Sequence, residues 1–143
     1  MSPPPKDAYR VLLVDDSKDD RLFMRWALRS HPKLEIVAEL RDGEEAISYL
    51  SGLNEFGDRE KHPFPDLMLL DLKMPRQTGL DVLKWLQTQI FNDLVVIVVS
   101  GSNLPQDVSQ SLALGAAAFH KKTTLLEQKE AIFKQIDTLL QKS

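Results

Sequence analysis

The chain has 143 residues, which is the length of one ordinary domain. Hydrophobic residues make up 43% and charged residues 27%, a balance typical of a globular protein rather than a disordered one. The net charge of −3 argues against a dedicated nucleic-acid-binding domain, and the absence of cysteine excludes disulfide scaffolds, cysteine-based zinc sites and thiol catalysis.

The N-terminal residues and the hydropathy of the chain predict its cellular location. Residues 1–8 contain three consecutive prolines and predict a short disordered tail ahead of one domain at 9–143. This end has no apolar stretch of the kind found in secretory signals, and no apolar run approaches the ~18 residues of a membrane span. We therefore expect a cytoplasmic protein that does not bind membranes.

Apolar segments of two kinds alternate along the chain. Five short runs predict strands at 11–14, 34–38, 67–70, 94–99 and 117–120. The first predicted helix contains residues 22–27, and the second follows Asp42. The third begins near Thr78 or Gly79, the fourth runs from Pro105 to near Gly115, and the fifth spans 125–140. The polar segment 51–65 predicts a long loop. Five β-α units predict a doubly wound parallel α/β sheet of the flavodoxin-like type, with strand order 2-1-3-4-5.

The helical periodicity and the local sequence also predict which large side chains are buried. Trp26 and Trp85 lie on apolar helical stripes and are predicted to belong to the core. His31 and His62 have polar or proline neighbours and are predicted to be exposed.

Polar residues follow four of the predicted strands. Asp15 and Asp16 follow the first, Asp71 follows the third, Ser100 ends the fourth, and a lysine at 121 or 122 follows the fifth. In an open parallel sheet these strand ends share one edge, so we expect the residues to converge there. Taken alone, the Asp15-Asp16 pair has a second interpretation as a helix N-cap.

Three converging carboxylates repel one another unless a cation is present. An oxygen-only cluster suits a hard divalent ion, and Mg²⁺ is the expected cofactor. A lysine provides positive charge for a phosphate group, and a carboxylate can itself accept a phosphoryl group. The residues therefore predict a site for phosphoryl transfer to Asp71.

The same residues resemble the receiver domains of two-component response regulators, over almost the whole chain. The matching motifs are Leu-Leu-Val-Asp-Asp-Ser at 12–17, Leu-Leu-Asp-Leu-Lys-Met-Pro at 69–75, Val-Val-Ser-Gly at 98–101 and Gly-Ala-Ala-Ala-Phe-His-Lys-Lys at 115–122. Each motif alone is weak, but their order and their positions at strand ends make the resemblance specific.

The resemblance implies a role for each matching residue. Asp71 corresponds to the phosphoacceptor, and Lys122, rather than Lys121, to the lysine that contacts the phosphate. The metal ligands implied are Asp15, Asp16, Asp71 and the backbone carbonyl of Lys73. Ser100 corresponds to the switch hydroxyl and Phe119 to its aromatic partner.

Two departures from the family pattern narrow the resemblance. Thr123 stands where the family usually has a proline, often in a cis bond, so a cis bond at this position is not assured. The loop before the third strand is about ten residues longer than in minimal receivers. Together with the expected lack of an output domain, these features look like the single-domain regulators associated with bacterial phytochrome histidine kinases.

The implied partners are a histidine kinase, an unknown downstream protein and a second copy of the chain. The self-association surface of such regulators is the face of the fourth helix, the fifth strand and the last helix, where Leu104 and Leu125 are predicted to be exposed. Asp19 and Asp20 are interpreted as favouring the dipole of the first helix, with Asp19 the one that could approach the site.

Three other functions remain to be weighed. A haloacid-type aspartate phosphatase carries a second aspartate two residues after its nucleophile, and Lys73 occupies that position here. A flavodoxin-like cofactor binder needs a phosphate cradle after the first strand, where this chain has acidic residues instead. A phosphorylation-independent adaptor on the same fold is disfavoured by the complete acidic set but is excluded only by an assay.

Overall fold

A computed structural model describes residues 7–91 and 93–141. Most of the predicted N-terminal tail, residues 1–6, lies outside these ranges. The five strands form one parallel sheet in the order β2-β1-β3-β4-β5, which confirms the predicted fold class and topology. The strands are β1 (Tyr9–Val14), β2 (Leu34–Leu40), β3 (Leu67–Leu70), β4 (Val95–Ser100) and β5 (Ala118–Lys121).

Six α-helices lie between and after the strands. They are α1 (Lys18–Leu28), α2 (Gly43–Ser51), α3 (Gly79–Leu86), α4 (Pro105–Ala113), α5 (Lys122–Glu127) and α6 (Lys129–Gln141). Side chains of Ser17, Asp42 and Thr78 cap α1, α2 and α3 by accepting backbone N–H groups of the first turn. In the part of the chain that the structure describes, every helix is too short or too polar to cross a membrane.

Alternate residues of each central strand pack into two cores on opposite faces of the sheet. Leu12 and Val14 point into a core completed by α2 and α3, while Val11 and Leu13 point into a core completed by α1, α5 and α6. Because β1, β3 and β4 are covered on both faces, their sequences are apolar except for Arg10 near the start of β1 and Ser100 at the end of β4. The covered sheet provides a rigid support for the residues that follow each strand.

The predicted loop at 51–65 is partly ordered by one arginine. α2 extends to Ser51, and a 3₁₀ turn follows at Asn54–Phe56. The Arg59 guanidinium donates hydrogen bonds to the carbonyls of Tyr49 and Leu50 at 2.8 and 3.0 Å, which satisfies the end of α2. His62, predicted to be exposed, is half-buried and packs edge-on against Phe56.

The predicted burial of three side chains was wrong. In each case packing against another element of the fold, rather than the local sequence, determines the exposure of the side chain. Trp26 is 64% exposed, since α1 turns Met24 and Leu28 to the sheet instead. His31 is buried because Asp137 of α6 reaches its Nε2 at 2.7 Å. Leu125 is buried in the core beneath α5. Trp85, predicted to be in the core, is only partly buried against it.

The last predicted helix is divided in two. α5 ends at Glu127, and the backbone of Gln128 leaves the helical conformation before α6 begins at Lys129. The break lets Leu125 of α5 and Ile132 and Ile136 of α6 enter the same core from different directions. A continuous apolar periodicity in the sequence does not reveal such a break.

Gly79 at the start of α3 allows the loop after β3 to close tightly, which generates a stability prediction. A methyl group on Gly79 would overlap the backbone oxygen of Asp71 and lie 2.8 Å from Cα of Leu72. We expect Gly79→Ala to lower the free energy of unfolding by about 1–3 kcal/mol, through overpacking against rigid backbone. Urea unfolding measures this. Gly101→Ala is the control, because a methyl group there meets nothing within 4 Å. Equal effects of the two substitutions would contradict the prediction.

Candidate functional site

The carboxyl ends of β1 and β3 place two aspartates side by side. The two strands pair directly, with Val14 opposite Leu70, and Asp71 donates its backbone N–H to the carbonyl of Val14 at 2.9 Å. Asp15 follows β1 and is held from the other side, since its backbone N–H bonds to Leu40 of β2 at 3.0 Å. The sheet therefore determines the positions of both aspartates before any side-chain contact is considered.

The three predicted acidic residues form one cluster. One carboxylate oxygen from each of Asp15, Asp16 and Asp71 lies within 4.8 Å of the others. Asp15 and Asp71 are buried, and Asp16 is exposed. Asp71 Oδ1 is buried without a hydrogen-bond partner among the described residues, as expected for an atom that binds a cation. An oxygen-only donor set of this kind fits a hard divalent ion. Ser17, not Asp15 or Asp16, is the N-cap of α1.

Lys122 lies at the centre of the negative charges. Its Nζ is 2.8 Å from Asp15 Oδ2 and 3.4 Å from Asp71 Oδ2. A third carboxylate, that of Asp20, is the nearest, at 2.6 Å. Burial alone would lower the pKa of Lys122, but the hydrogen bonds to Asp15 and Asp20 and the charge of Asp71 raise it on balance. Lys122 is therefore fully charged at neutral pH.

Asp20 belongs to the site, which the sequence alone does not predict. The sequence predicts that Asp20 interacts favourably with the dipole of the first helix and that Asp19 is the residue that could approach the site. The structure shows the reverse, with Asp20 on Lys122 and Asp19 exposed. The available signal was position, because Asp20 lies in the first turn of the helix that follows the acidic pair.

The environment of Asp71 raises the pKa of its carboxyl group. Burial and then the charge of Asp15 raise the pKa of Asp71 to about 6, and the nearby Lys122 and the backbone N–H of Lys73 offset only part of this effect. Two carboxylates thus share one buried edge with a single ammonium between them. A divalent cation would relieve the remaining repulsion.

The remaining predicted residues lie on β4, on β5 and in the loop after β3. Ser100 is buried at the end of β4, and its Oγ accepts the backbone N–H of Ser102 at 3.4 Å. Phe119 of β5 is partly buried against the core on the α2 and α3 side. Lys73 extends its side chain into solvent and comes 3.9 Å from Asp107 of α4. In the described residues every peptide bond is trans, including the one between Lys122 and Thr123.

Comparisons with known proteins agree with this geometry. The sequence model described as "Response regulator receiver domain" matches residues 11–137. Response regulator Rcp1 of Synechocystis is 32% identical over 136 residues, which cover 94% of this chain and 86% of that protein. The crystal structure of the phosphorylated cyanobacterial phytochrome response regulator RcpA matches at a TM-score of 0.76, with 32% identity and 91% of each chain covered.

Two further similarities bear on the metal and on chain length. The Mn²⁺-bound structure of Rcp1 matches at a TM-score of 0.70, with 30% identity over 79% of this chain and 80% of that one. Protein-glutamate methylesterase/protein-glutamine glutaminase 3 of Geobacter sulfurreducens is 34% identical over 115 residues. The match covers 80% of this chain but 28% of that protein, so this chain is similar to one part of a longer relative.

The raised pKa of Asp71 generates a prediction about stability and pH. A carboxyl group whose pKa is raised on folding binds its proton more tightly in the folded state, so its ionisation destabilises the fold. This cost is absent below the unfolded pKa of ~4 and complete above about 6. With divalent ions removed by a chelator, we expect the free energy of unfolding of Asp71→Asn to exceed that of the parent by about 1–3 kcal/mol at pH 7.5.

The advantage should shrink as the pH falls from 6 to 4, and urea unfolding across this range measures it. Asp19→Asn, at an exposed position, should show no such trend. A gain for Asp71→Asn that does not change with pH would contradict the prediction.

Proposed function

The chain belongs to the response regulator receiver domain family, and from this premise we propose that it accepts a phosphoryl group on Asp71 from a histidine kinase. The observation that carries the proposal is the buried Asp71 carboxylate, which has one unpartnered oxygen and an ammonium at 3.4 Å. Acceptors of this kind need an exposed route to the donor, and the exposed Asp16 marks the open side of the cluster.

In the proposed reaction an Asp71 oxygen attacks the phosphorus of a phosphohistidine. The new bond is the O–P bond of an aspartyl phosphate, and the bond that breaks is the N–P bond to the imidazole, which leaves with the electron pair and takes up a proton. Lys122 balances part of the charge that spreads over the phosphoryl oxygens. Asp71 must be ionised to attack, and Lys122 at 3.4 Å favours that form.

We propose Mg²⁺ as the cofactor, held by the carboxylates of Asp15, Asp16 and Asp71 and by the backbone carbonyl of Lys73. When bound, Mg²⁺ would neutralise the phosphoryl oxygens and the three carboxylates together. The fit of the oxygen cluster to a divalent ion and the Mn²⁺-bound form of Rcp1 support a cation here. We propose Mg²⁺ in preference to other hard divalent ions.

Ser100 and Phe119 are proposed to convert phosphorylation into a change of surface. Among the described residues, the Ser100 hydroxyl accepts one long hydrogen bond, at 3.4 Å, and it can turn toward a phosphoryl oxygen. Phe119 is partly buried on the adjoining strand, so it can move inward if Ser100 moves. Both residues then act on an equilibrium between two conformations rather than on the chemical step.

The identity of the kinase is proposed from the relatives. RcpA is a cyanobacterial phytochrome response regulator, and its structure covers 91% of this chain. We therefore propose that a phytochrome-type histidine kinase, encountered in the cytoplasm, supplies the phosphoryl group.

The proposal predicts the uptake of one phosphoryl group. Incubation with Mg²⁺ and acetyl phosphate should raise the intact mass by one phosphoryl group, and chelation should prevent the increase. Asp71→Asn should abolish the uptake, because a neutral amide is a poor nucleophile. Asp66→Asn is the control, because Asp66 lies at the opposite end of β3 from the site. Full labelling of Asp71→Asn at another residue would refute the assignment.

We also propose that the output is a homodimer formed through the face of α4, β5 and the last predicted helix, which the structure divides into α5 and α6. Leu104, Leu112 and Leu126 lie at or within these helices and are 51%, 46% and 42% exposed. Leu125, expected to contribute to this surface, is buried and cannot. Exposed apolar side chains of this size commonly mark a protein contact, and a two-fold dimer uses the same patch on both copies.

Sedimentation over a concentration series, with and without phosphodonor, measures the dimer. We expect Leu112→Glu to weaken self-association by tenfold or more, since a charge would be buried at the contact, on the order of 1.4 kcal/mol or above. Leu53→Glu is the control, because Leu53 is 54% exposed but follows α2 at the other edge of the sheet. A monomer at all concentrations in both states would refute the dimer.

A further inference from the structure

The shortest contact of the Lys122 ammonium is with a residue outside the acidic cluster. Nζ lies 2.6 Å from Asp20 Oδ2, against 2.8 Å from Asp15 and 3.4 Å from Asp71. Asp20 stands in the first turn of α1 and Lys122 at the start of α5, so the pair joins two helices beside the site. The side chain of Asp20 is 36% exposed, whereas that of Asp15 is fully buried.

The ammonium and a divalent cation compete for the same carboxylates. Asp15 and Asp71 belong to the cluster that fits a cation, and both are in contact with Nζ. A cation at the unpartnered Asp71 Oδ1 would still lie close to the ammonium on Asp71 Oδ2, and the two positive charges would repel each other. Cation binding is therefore favoured when Lys122 withdraws from Asp15 and Asp71.

A lysine ammonium has three N–H donors, and here three carboxylates surround it. Withdrawal from Asp15 and Asp71 would leave two donors to solvent and one partner, Asp20. We infer that Asp20 is a positioning residue that holds the Lys122 ammonium while a divalent cation takes Asp15 and Asp71. Asp20 thereby favours cation binding and keeps Nζ within reach of the acceptor. The role of Asp20 in keeping Nζ near the acceptor rests on the proposed phosphoryl transfer.

Asp19 provides a matched control for the charge of Asp20. It is the same residue type, adjacent in sequence and in the same helical turn. Its side chain is exposed and makes no hydrogen bond or ion pair with any described residue. Substituting asparagine at either position removes one negative charge near the start of α1, but only Asp20→Asn removes a charged partner of Lys122.

The experiment is calorimetric titration of the full chain with Mg²⁺. We expect Asp20→Asn to weaken Mg²⁺ binding about three- to tenfold, the effect of losing one partly exposed charged contact, and Asp19→Asn to weaken it less than about twofold. Asp20→Glu retains the carboxylate and should keep most of the affinity. Equal losses for Asp19→Asn and Asp20→Asn would overturn the inference, as would a loss for Asp20→Glu as large as that for Asp20→Asn.

A double-mutant cycle with Lys122→Met tests whether the effect passes through Lys122. In that background Asp20→Asn should weaken Mg²⁺ binding no more than Asp19→Asn does, because the ammonium no longer competes. A loss that is undiminished without Lys122 would show that Asp20 acts on the cation directly and would overturn the inference.

The Mg²⁺ titration tests the inference on Asp20, and the phosphorylation assay tests the proposed function separately. If the parent chain binds Mg²⁺ with the expected variant pattern but takes up no phosphoryl group, the proposed function is wrong and the role of Asp20 in cation binding stands. If phosphorylation proceeds but Asp20→Asn leaves Mg²⁺ affinity unchanged, the inference on Asp20 is wrong and the proposed function stands.

Discussion

The burial of two carboxylates at the ends of adjacent strands is the constraint on which the rest of the site depends. Asp15 and Asp71 are held by backbone hydrogen bonds of the sheet and cannot move apart. Isolated buried charges of the same sign would be strongly unfavourable, so positive charge must be supplied from elsewhere. Lys122 at the start of α5 supplies part of it, and Asp20 of α1 holds the same ammonium from the other helix.

The loop between β3 and α3 shows how the backbone supports this arrangement. Gly79 donates its N–H to the carbonyl of Leu72 at 3.1 Å, so the start of α3 packs directly against the residue after Asp71. The backbone N–H of Gly43 at the start of α2 donates to the carbonyl of Gln77 at 2.9 Å, which connects the loop to the neighbouring helix α2. The loop therefore keeps the backbone of Lys73, a proposed metal ligand, in a defined position.

Electrostatic balance also connects the site to α4. Asp107 is buried in the first turn of α4, and its Oδ2 has no hydrogen-bond partner among the described residues. The nearest cation is Lys73 Nζ at 3.9 Å, on a side chain that is 70% exposed. Negative charge on α4 is thus partly compensated from the same loop that borders Asp71.

Local sequence was sufficient for the strands, the topology and the acidic cluster. A strand covered on both faces must be continuously apolar, and 11–14, 67–70 and 94–99 carry that pattern without ambiguity. The polar residue that ends such a strand must lie at one edge of a parallel sheet. For this reason Asp15, Asp71 and Ser100 could be selected before their neighbours were known.

Only the tertiary structure decided the properties that depend on residues far apart in the chain. Asp20 belongs to the site because Lys122, 102 residues later, lies across from it, and His31 is buried because Asp137, 106 residues later, bonds to it. Trp26 is exposed because α1 has several apolar positions and only one side of a helix can face the sheet. A periodicity shows that a helix has an apolar side, but packing against the other elements determines which side chains are buried.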